Sequence, residues 1–365
     1  MNFSYPVIIG RGVLKRIGHI IRDKNLIRGD KVALITSNRI FEFWGDEISS
    51  SFSGTGLDVR VVKIPDGEEA KELRTLGEIY GELVRFGLHR DGLIVALGGG
   101  SVSDVAGFAA STYLRGVDYI NVPTTFLAQI DSCVGGKTGI NHEGGKNLIG
   151  TFWQPKGAIV DPEIIETLEP RQILSGMAEA VKAAVIADES LFDFIEDKFD
   201  ALILMEDAGA LDEVIERTLL IKTQVVEADV NEDRGYRVLL NFGHTFGHAY
   251  EALLRERGNA ITHGEAVALG MLTESKLANL LGLLGEFEEA RIANLCRKVS
   301  DPNLIAGLPW DDVRFLLNID KKARDEGVYF ALPRSIGTVE VVGNIDEGIL
   351  HKALEQTAAP EGRLC

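Results

Sequence analysis

Asp91-Gly92-Leu93-Ile94-Val95-Ala96-Leu97-Gly98-Gly99-Gly100 carries the first architectural signal of this chain. Asp-Gly is a turn pair. Leu93–Leu97 is an unbroken apolar run of strand length, as expected of a strand buried on both faces in a parallel sheet. Three glycines follow, and helical periodicity then runs from about Ser103 to Leu114. A strand, a glycine turn and a helix in that order form a cradle for phosphate. Glycine lets the backbone approach closely, and the helix N-terminus presents open N–H groups to an anion. The spacing is not G-x-G-x-x-G, so the ordinary dinucleotide fingerprint is absent. A tight structural turn explains so short a run equally well. Asp104, early in the helix, is either an acid favoured by the helix dipole or a polar contact to a nucleotide.

The same alternation repeats on either side. Residues 3–9, Lys31–Thr36, Asp58–Ile64 and Tyr119–Val122 read as strands. Val13–Asp23, Arg39–Ser50 and Glu69–Phe86 read as helices. Strands alternating with helices of this length predict a parallel sheet with helices on its faces. Past residue 165 the character changes. Glu169–Leu281 and Leu283–Asn318 are almost entirely helical in pattern, with a late hairpin at Tyr329–Leu332 and Thr338–Val342 and fraying expected over 356–365. The expected architecture is α/β: an N-terminal, mainly parallel-sheet nucleotide-binding domain over 1–165 and a C-terminal, mainly α-helical metal-binding domain over 166–365. A cleft between two such domains is the default place for a site.

Composition narrows the function. A net charge of −17 argues against nucleic acid and anionic membrane as partners. Three cysteines, Cys133, Cys296 and Cys365, lie far apart with no C-x-x-C, so neither a disulfide framework nor a thiolate metal cage is expected, and a reducing, cytoplasmic setting fits. No 18-residue uncharged apolar run is present, so a membrane span is not expected.

In so acidic a chain, clustered cations stand out. Residues 131–147 hold two Gly-Gly-Lys units, ending at Lys137 and Lys146. Flanking glycines cost conformational entropy, which surface solubility does not require. Delivery of an ammonium to a phosphate or carboxylate explains them better. Arg115, in Tyr-Leu-Arg-Gly, adds a further cation.

The C-terminal half supplies metal donors. Three of the seven histidines, His244, His248 and His263, fall within one stretch. His244 and His248 are four apart and share a helical face. A packing helix with satisfied histidines competes with a divalent-metal site. Glu179 and Lys182 lie three apart on an otherwise apolar helix. A surface ion pair at that spacing contributes only a few tenths of a kcal/mol, and apolar neighbours argue against exposure. A buried carboxylate needs a partner, and a metal is one. Glu179 with two of the three histidines makes a His2Glu set, the ligand count of an open zinc site. Arg237 and Asn241 stand two turns and one turn ahead of His244 if that helix extends so far back. The acidic segments Asp193–Asp200 and Glu206–Glu216 read as solvated helix faces.

With these pieces in place, the chain resembles the 3-dehydroquinate synthase family. The resemblance rests on GGGSVSDVAGF at 98–108, YLRG at 113–116, VPTTFLAQIDSCVGGKTGIN at 122–141, GKNLIG at 145–150, GMAEAVK at 176–182, NFGHTFGHA at 241–249 and HGEAV at 263–267. It implies an NAD-dependent enzyme with a divalent metal, zinc or cobalt. The reaction it implies turns 3-deoxy-D-arabino-heptulosonate 7-phosphate into 3-dehydroquinate and phosphate. That reaction proceeds by transient oxidation, phosphate elimination, re-reduction, ring opening and aldol closure. It further implies Glu179, His244 and His263 as metal ligands, with His248 a nearby histidine for proton transfer or substrate positioning. Arg115, Asp131, Lys137, Lys146, Asn147, Lys182, Lys222, Arg237 and Asn241 match substrate-contacting positions. Gly99, Gly100, Ser101, Asp104, Thr124 and Thr125, with Glu68 and Lys71, match nucleotide-binding positions, to which Asp131, Lys137 and Lys146 also contribute. The counterpart of Arg115 can come from a neighbouring subunit, which implies a homodimer.

There are departures. The acidic stretch Asp229–Arg237 is one residue longer than the family pattern, so its role falls on either Glu232 or Asp233. Thr36-Ser37-Asn38-Arg39 replaces the usual Thr-Asp-x-Asn, which leaves the adenosine-side contacts open. Ala70 and Cys133 replace a larger residue and a Ser, and either Lys321 or Lys322 reaches the substrate. Two other activities compete: a related sugar phosphate cyclase such as 2-deoxy-scyllo-inosose synthase, and a metal-dependent glycerol-1-phosphate or alcohol dehydrogenase.

Overall fold

Residues 5–229, 235–322 and 328–358 are described by a computed structural model. The chain divides into two units, Met1–Leu168 and Glu169–Cys365.

Unit one runs β1 (Val7–Ile9), α1 (Ile17–Asp23), β2 (Lys31–Ser37), α2 (Asn38–Ser51), β3 (Asp58–Ile64), α3 (Leu73–Phe86), β4 (Leu93–Gly98), α4 (Gly100–Thr112), β5 (Asp118–Pro123), β6 (Lys137–His142), β7 (Gly145–Phe152) and β8 (Gly157–Val160). Six strands form one sheet in the order β1-β8-β5-β4-β2-β3, and every pairing in it is parallel. The two-residue period of each strand divides its side chains between two cores. Val32 and Leu34 of β2, with Val95 and Leu97 of β4, pack with Leu14, Ile17 and Ile48. Ala33 and Ile35, with Ile94 and Ala96, pack with Leu76, Ile79, Val102 and Val105 on the other face. Each large aliphatic side chain taken fully from water contributes roughly 1.5–3 kcal/mol, which is why such strands carry no polar alternation. The chain leaves β2 towards β3 on one side and returns to β4 on the other. Ligands of open parallel sheets bind at such a reversal, beyond the carboxyl ends of the strands.

Unit two is helical as expected: α5 (Pro170–Ala187), α6 (Glu189–Ile203), α7 (Ala208–Ala228), α8 (His244–Glu256), α9 (His263–Leu280), α10 (Glu286–Val299), α11 (Trp310–Lys322) and α12 (Glu347–Ala358). The late hairpin is present as antiparallel β9 (Tyr329–Ser335) and β10 (Thr338–Gly343). No helix among the described residues is long and apolar enough to cross a membrane.

Several boundaries differ from the sequence reading. Residues 69–86 are not one helix: a 3-10 turn over Gly67–Lys71 is parted from α3 by Glu72, whose backbone is extended (φ −85, ψ 148). Residues 356–358 belong to α12, and 359–365 lie outside the described residues. β8 and the antiparallel β6–β7 pair were not expected. The helix bearing His244 does not extend back to Arg237. Gly243 adopts φ 80, a left-handed conformation glycine reaches without strain, and it separates a 3-10 turn over Tyr236–Asn241 from α8.

Candidate metal centre and nucleotide turn

Glu179, His244 and His263 converge in unit two. One donor atom from each lies within 4.8 Å of the other two. Glu179 comes from the middle of α5 and is 3% exposed. Its Oε1 lies 3.5 Å from His244 Nε2 and 3.2 Å from His263 Nε2. Its Oε2 lies 2.5 Å from Lys182 Nζ, one turn along the same helix. Burial alone raises a carboxyl. Here Lys182 and the two imidazoles outweigh it and hold Glu179 well below the usual carboxylate range.

The two histidines are opposite in character. Burial, reinforced by the Lys182 charge, holds His244 well below the ordinary imidazole value, so it is neutral and ready to donate a lone pair. Its Nδ1 lies 3.3 Å from the Phe242 carbonyl oxygen. That oxygen can only accept, so Nδ1 carries the proton and Nε2 is open. At His263 burial pulls the same way, but hydrogen bonds to Glu179 and Glu251 win and push the group up to about 9. Glu251 Oε2 stands 3.7 Å from His263 Nδ1. His248, one turn on from His244, is exposed, with its ring centroid 5.2 Å from that of His244 and 6.2 Å from that of His263.

Local signals place each donor. His263 opens α9 inside a capping box: Thr262 Oγ1 accepts from Glu265 N–H at 3.2 Å, and Glu265 Oε2 accepts from Thr262 N–H at 2.6 Å. Arg171 holds Glu265 with two bonds, at 2.8 and 2.7 Å. The first turn of α8 is capped from outside, because Gly243 has no side chain to do it. Glu274 of α9, fully buried, accepts from Gly243 N–H at 2.6 Å and from Phe246 N–H at 3.2 Å. Burial raises Glu274 to about 8, with the N–H groups of Gly243, Phe246 and Thr245 pulling it back.

A His2Glu donor set of this burial suits a divalent cation and leaves coordination positions open. Three cations of the same unit, Lys182, Lys222 and Arg237, are buried, at 4, 9 and 4% exposure. Buried charge is costly unless an opposite charge joins it. The backbone N–H of Arg237 donates to Asp229 Oδ2 at 3.3 Å. Asn241 ends the 3-10 turn ahead of Gly243 and is half-buried. Glu232 and Asp233 lie outside the described residues, and the side chains of Lys321 and Lys322 are likewise not described.

Unit one holds the nucleotide turn. Gly99 caps α4 with extended backbone, and its carbonyl accepts from Val102 and Ser103 N–H at 3.1 Å, so the glycines and Ser101 form the first turn. Thr36 and Thr124 stand at the carboxyl ends of β2 and β5, fully buried. Neither hydroxyl has a hydrogen-bond partner among the described residues. A polar ligand over the sheet end would satisfy both, which fits a dinucleotide. Thr125 is already engaged, its Oγ1 accepting from Ala128 N–H at 3.1 Å. Lys71 is buried against Asp104 Oδ2 at 2.6 Å and also donates to Asn147 Oδ1. Glu68 accepts from Asn141 Nδ2 at 2.7 Å. Lys137 and Lys146 are exposed at opposite ends of the β6–β7 pair, where Lys137 faces Phe152 and Gly145 faces His142. Asp131 falls in the π turn Ala128–Ser132. Arg115 is exposed and, like Leu114 before it, left-handed (φ 63 and 49).

Family models for 3-dehydroquinate synthase match nearly all of this: the N-terminal part over residues 61–175 and the C-terminal part over 176–323. The chain belongs to the 3-dehydroquinate synthase family. A 3-dehydroquinate synthase from Pelotomaculum thermopropionicum is 43% identical over 349 residues, 95% of this chain and 92% of that protein. The fold is that of sugar phosphate cyclases. A 2-epi-5-epi-valiolone synthase from Streptomyces hygroscopicus subsp. jinggangensis, solved with NAD+ and Zn2+, superposes with a TM-score of 0.86 at 28% identity and 98% coverage of both chains. A 2-deoxy-scyllo-inosose synthase solved with carbaglucose-6-phosphate, NAD+ and Co2+ gives 0.80 at 27% identity and 96% coverage of both.

Two carboxylates close to the triad escaped the sequence reading. Glu251 and Glu274 each sit among apolar residues of a helix, the signal that singled out Glu179. Thr262-x-x-Glu265 spells a capping box before an apolar run and was equally readable.

Proposed function

We propose that this protein is a 3-dehydroquinate synthase, a carbon–oxygen lyase of the cytoplasm. It converts 3-deoxy-D-arabino-heptulosonate 7-phosphate into 3-dehydroquinate and phosphate, in the shikimate pathway towards aromatic amino acids. The observation that carries the reading is the Glu179, His244, His263 donor set, which lies within the 176–323 match to the C-terminal family model.

Glu179, His244 and His263 would hold a divalent cation, zinc or cobalt. NAD would lie over the Gly99–Gly100 turn, with Ser101, Asp104, Thr124, Thr125, Glu68 and Lys71 as its polar surroundings. When bound, NAD supplies reversible hydride removal and the cation Lewis acidity at the oxygen being oxidised. The chain's own work is positioning and charge. Lys182, Lys222 and Arg237, with Asn241, present buried cations and an amide to the phosphate and carboxylate of the substrate. Arg115, Asp131, Lys137, Lys146 and Asn147 match the family's other substrate-contacting positions. His248, exposed beside His244, moves a proton at a ring nitrogen. We also propose a homodimer. Exposed Leu148 and Phe152 on β7 are apolar surface of the kind a subunit contact covers, and an active monomer in light scattering would refute it.

A sister cyclase activity is favoured by nothing comparable: the cyclases named above are 28 and 27% identical, against 43% for the synthase. The test is incubation with the heptulosonate phosphate, a catalytic amount of NAD, and zinc. Phosphate release with no net NADH is expected. No release, or NADH equal to substrate consumed, overturns the proposal.

A further inference from the structure

We propose that Glu274 is a positioning residue for His244, acting through the peptide group between Phe242 and Gly243. The inference rests on the reading of His244 as a metal ligand. Glu274 Oε2 accepts the Gly243 N–H at 2.6 Å. The same peptide group carries the Phe242 carbonyl, which accepts the His244 Nδ1–H at 3.3 Å. No peptide bond here is cis, so the N–H and C=O of that group point in opposite directions. The line therefore runs from carboxylate to amide to imidazole, and His244 Nε2, at its far end, faces Glu179 at 3.5 Å.

The chemistry follows from polarisation. A carboxyl oxygen that accepts from an amide N–H polarises the peptide group and enriches its carbonyl oxygen, most strongly where the carboxyl is ionised. A richer oxygen accepts more strongly from Nδ1–H, which fixes the tautomer and makes Nε2 a better donor. Glu251 stands directly beside His263 Nδ1. Glu274 does the corresponding work for His244 across one peptide group. Two acceptor oxygens, not an amide, are what the site asks for: Glu274 Oε1 faces a second donor, Phe246 N–H, at 3.2 Å. A glutamine would turn its own NH2 against one of the two.

A helix cap alone would stabilise α8 and leave the metal unaffected, so the test separates the two. Zinc affinity is measured by chelator competition, and the visible spectrum is recorded on the cobalt-loaded protein, for the parent, Glu274→Gln, Glu274→Ala and Thr273→Val. Thr273→Val is the control. It removes a buried hydrogen bond at the adjacent position, Thr273 Oγ1 to the Tyr250 hydroxyl at 2.9 Å, and touches no donor. Glu274→Ala is expected to weaken zinc at least about tenfold, Glu274→Gln less, and both to move the cobalt bands. Thr273→Val is expected to lower the melting temperature and hold zinc within about twofold of the parent. If Glu274→Ala does not fold, Glu274→Gln decides. Parental zinc affinity and cobalt spectrum in Glu274→Gln overturn the proposal, as does equal weakening in Thr273→Val. The titration needs no turnover. A parent that loads zinc but releases no phosphate refutes the synthase activity and leaves this inference to the variants, and a parent that loads no zinc refutes both.

Discussion

His263 Nε2 lies 3.2 Å from Glu179 Oε1, and the ring's other nitrogen lies 3.7 Å from Glu251 Oε2. An imidazole between two carboxylates keeps its proton, and His263 is pushed up to about 9. A value above the ordinary 6.5 means that the folded metal-free protein holds this proton more tightly than the unfolded chain does. The stabilisation is complete below 6.5 and is lost as pH rises through about 9. A metal at Nε2 must displace the proton. Zinc affinity is therefore expected to rise about tenfold per pH unit between 6.5 and 9, with one proton released. Calorimetry in two buffers of different ionisation enthalpy reads the proton directly, and a flat affinity would contradict the assignment.

Glu179→Ala removes a donor and the anion that faces both histidines. Metal content by elemental analysis is expected to collapse, and turnover to fall by about a hundredfold or more, since a Lewis acid supplies several kcal/mol of transition-state stabilisation. Full occupancy in the variant would remove Glu179 from the ligand set.

Lys182→Met leaves the Glu179 carboxylate without its nearest cation at 3% exposure. The metal-free variant is expected to be less stable by about 3 kcal/mol. Zinc supplies a replacement charge, so zinc should raise the melting temperature more in the variant than in the parent. Equal shifts would mean that the pair is electrostatically unimportant.

Gly270→Ala tests the seat of α8. A Cβ at Gly270 would stand 1.8 Å from the Gly243 carbonyl oxygen and 2.7 Å from Gly247 N, and both are backbone atoms that cannot turn aside. Forcing the helices apart is expected to cost about 1–3 kcal/mol or more and to weaken zinc binding, because Gly243 adjoins His244. A variant with parental melting and zinc affinity would show that the contact is soft.

How much of this was legible depended on what carries each element. Val32–Ile35 and Leu93–Leu97 declare a sheet covered on both faces because their burial leaves no polar alternation. Gly98–Gly100 marks the turn, and a Cβ at Gly98 would stand 2.4 Å from Val102 Cγ2. The β6–β7 pair was illegible. Its glycines and polar residues show no period of two, and what holds it is the backbone ladder and cross-strand contacts such as Thr138 Oγ1 to Thr151 Oγ1 at 3.0 Å. Glu179 could be suspected from its apolar helix, but the choice between His248 and His263 as its companion needed the family resemblance. Spacing along α8 is blind to a histidine that opens the next helix. The partners of Glu274 were hidden for the same reason: they are backbone N–H groups on another helix, which leave no trace in side-chain pattern.

The two oxygens of Glu179 are committed differently, Oε2 to Lys182 and Oε1 to the histidines. A carboxylate so divided would serve a cation as a monodentate ligand. Denticity matters because a bidentate glutamate would fill one more place around the cation. With Lys182 holding one oxygen back, Glu179, His244 and His263 together would occupy three sites of a bound cation. A four- or five-coordinate ion would then keep one or two free for oxygens of a ligand. The lysine thereby sets the vacancy count of the coordination sphere without being a ligand in it.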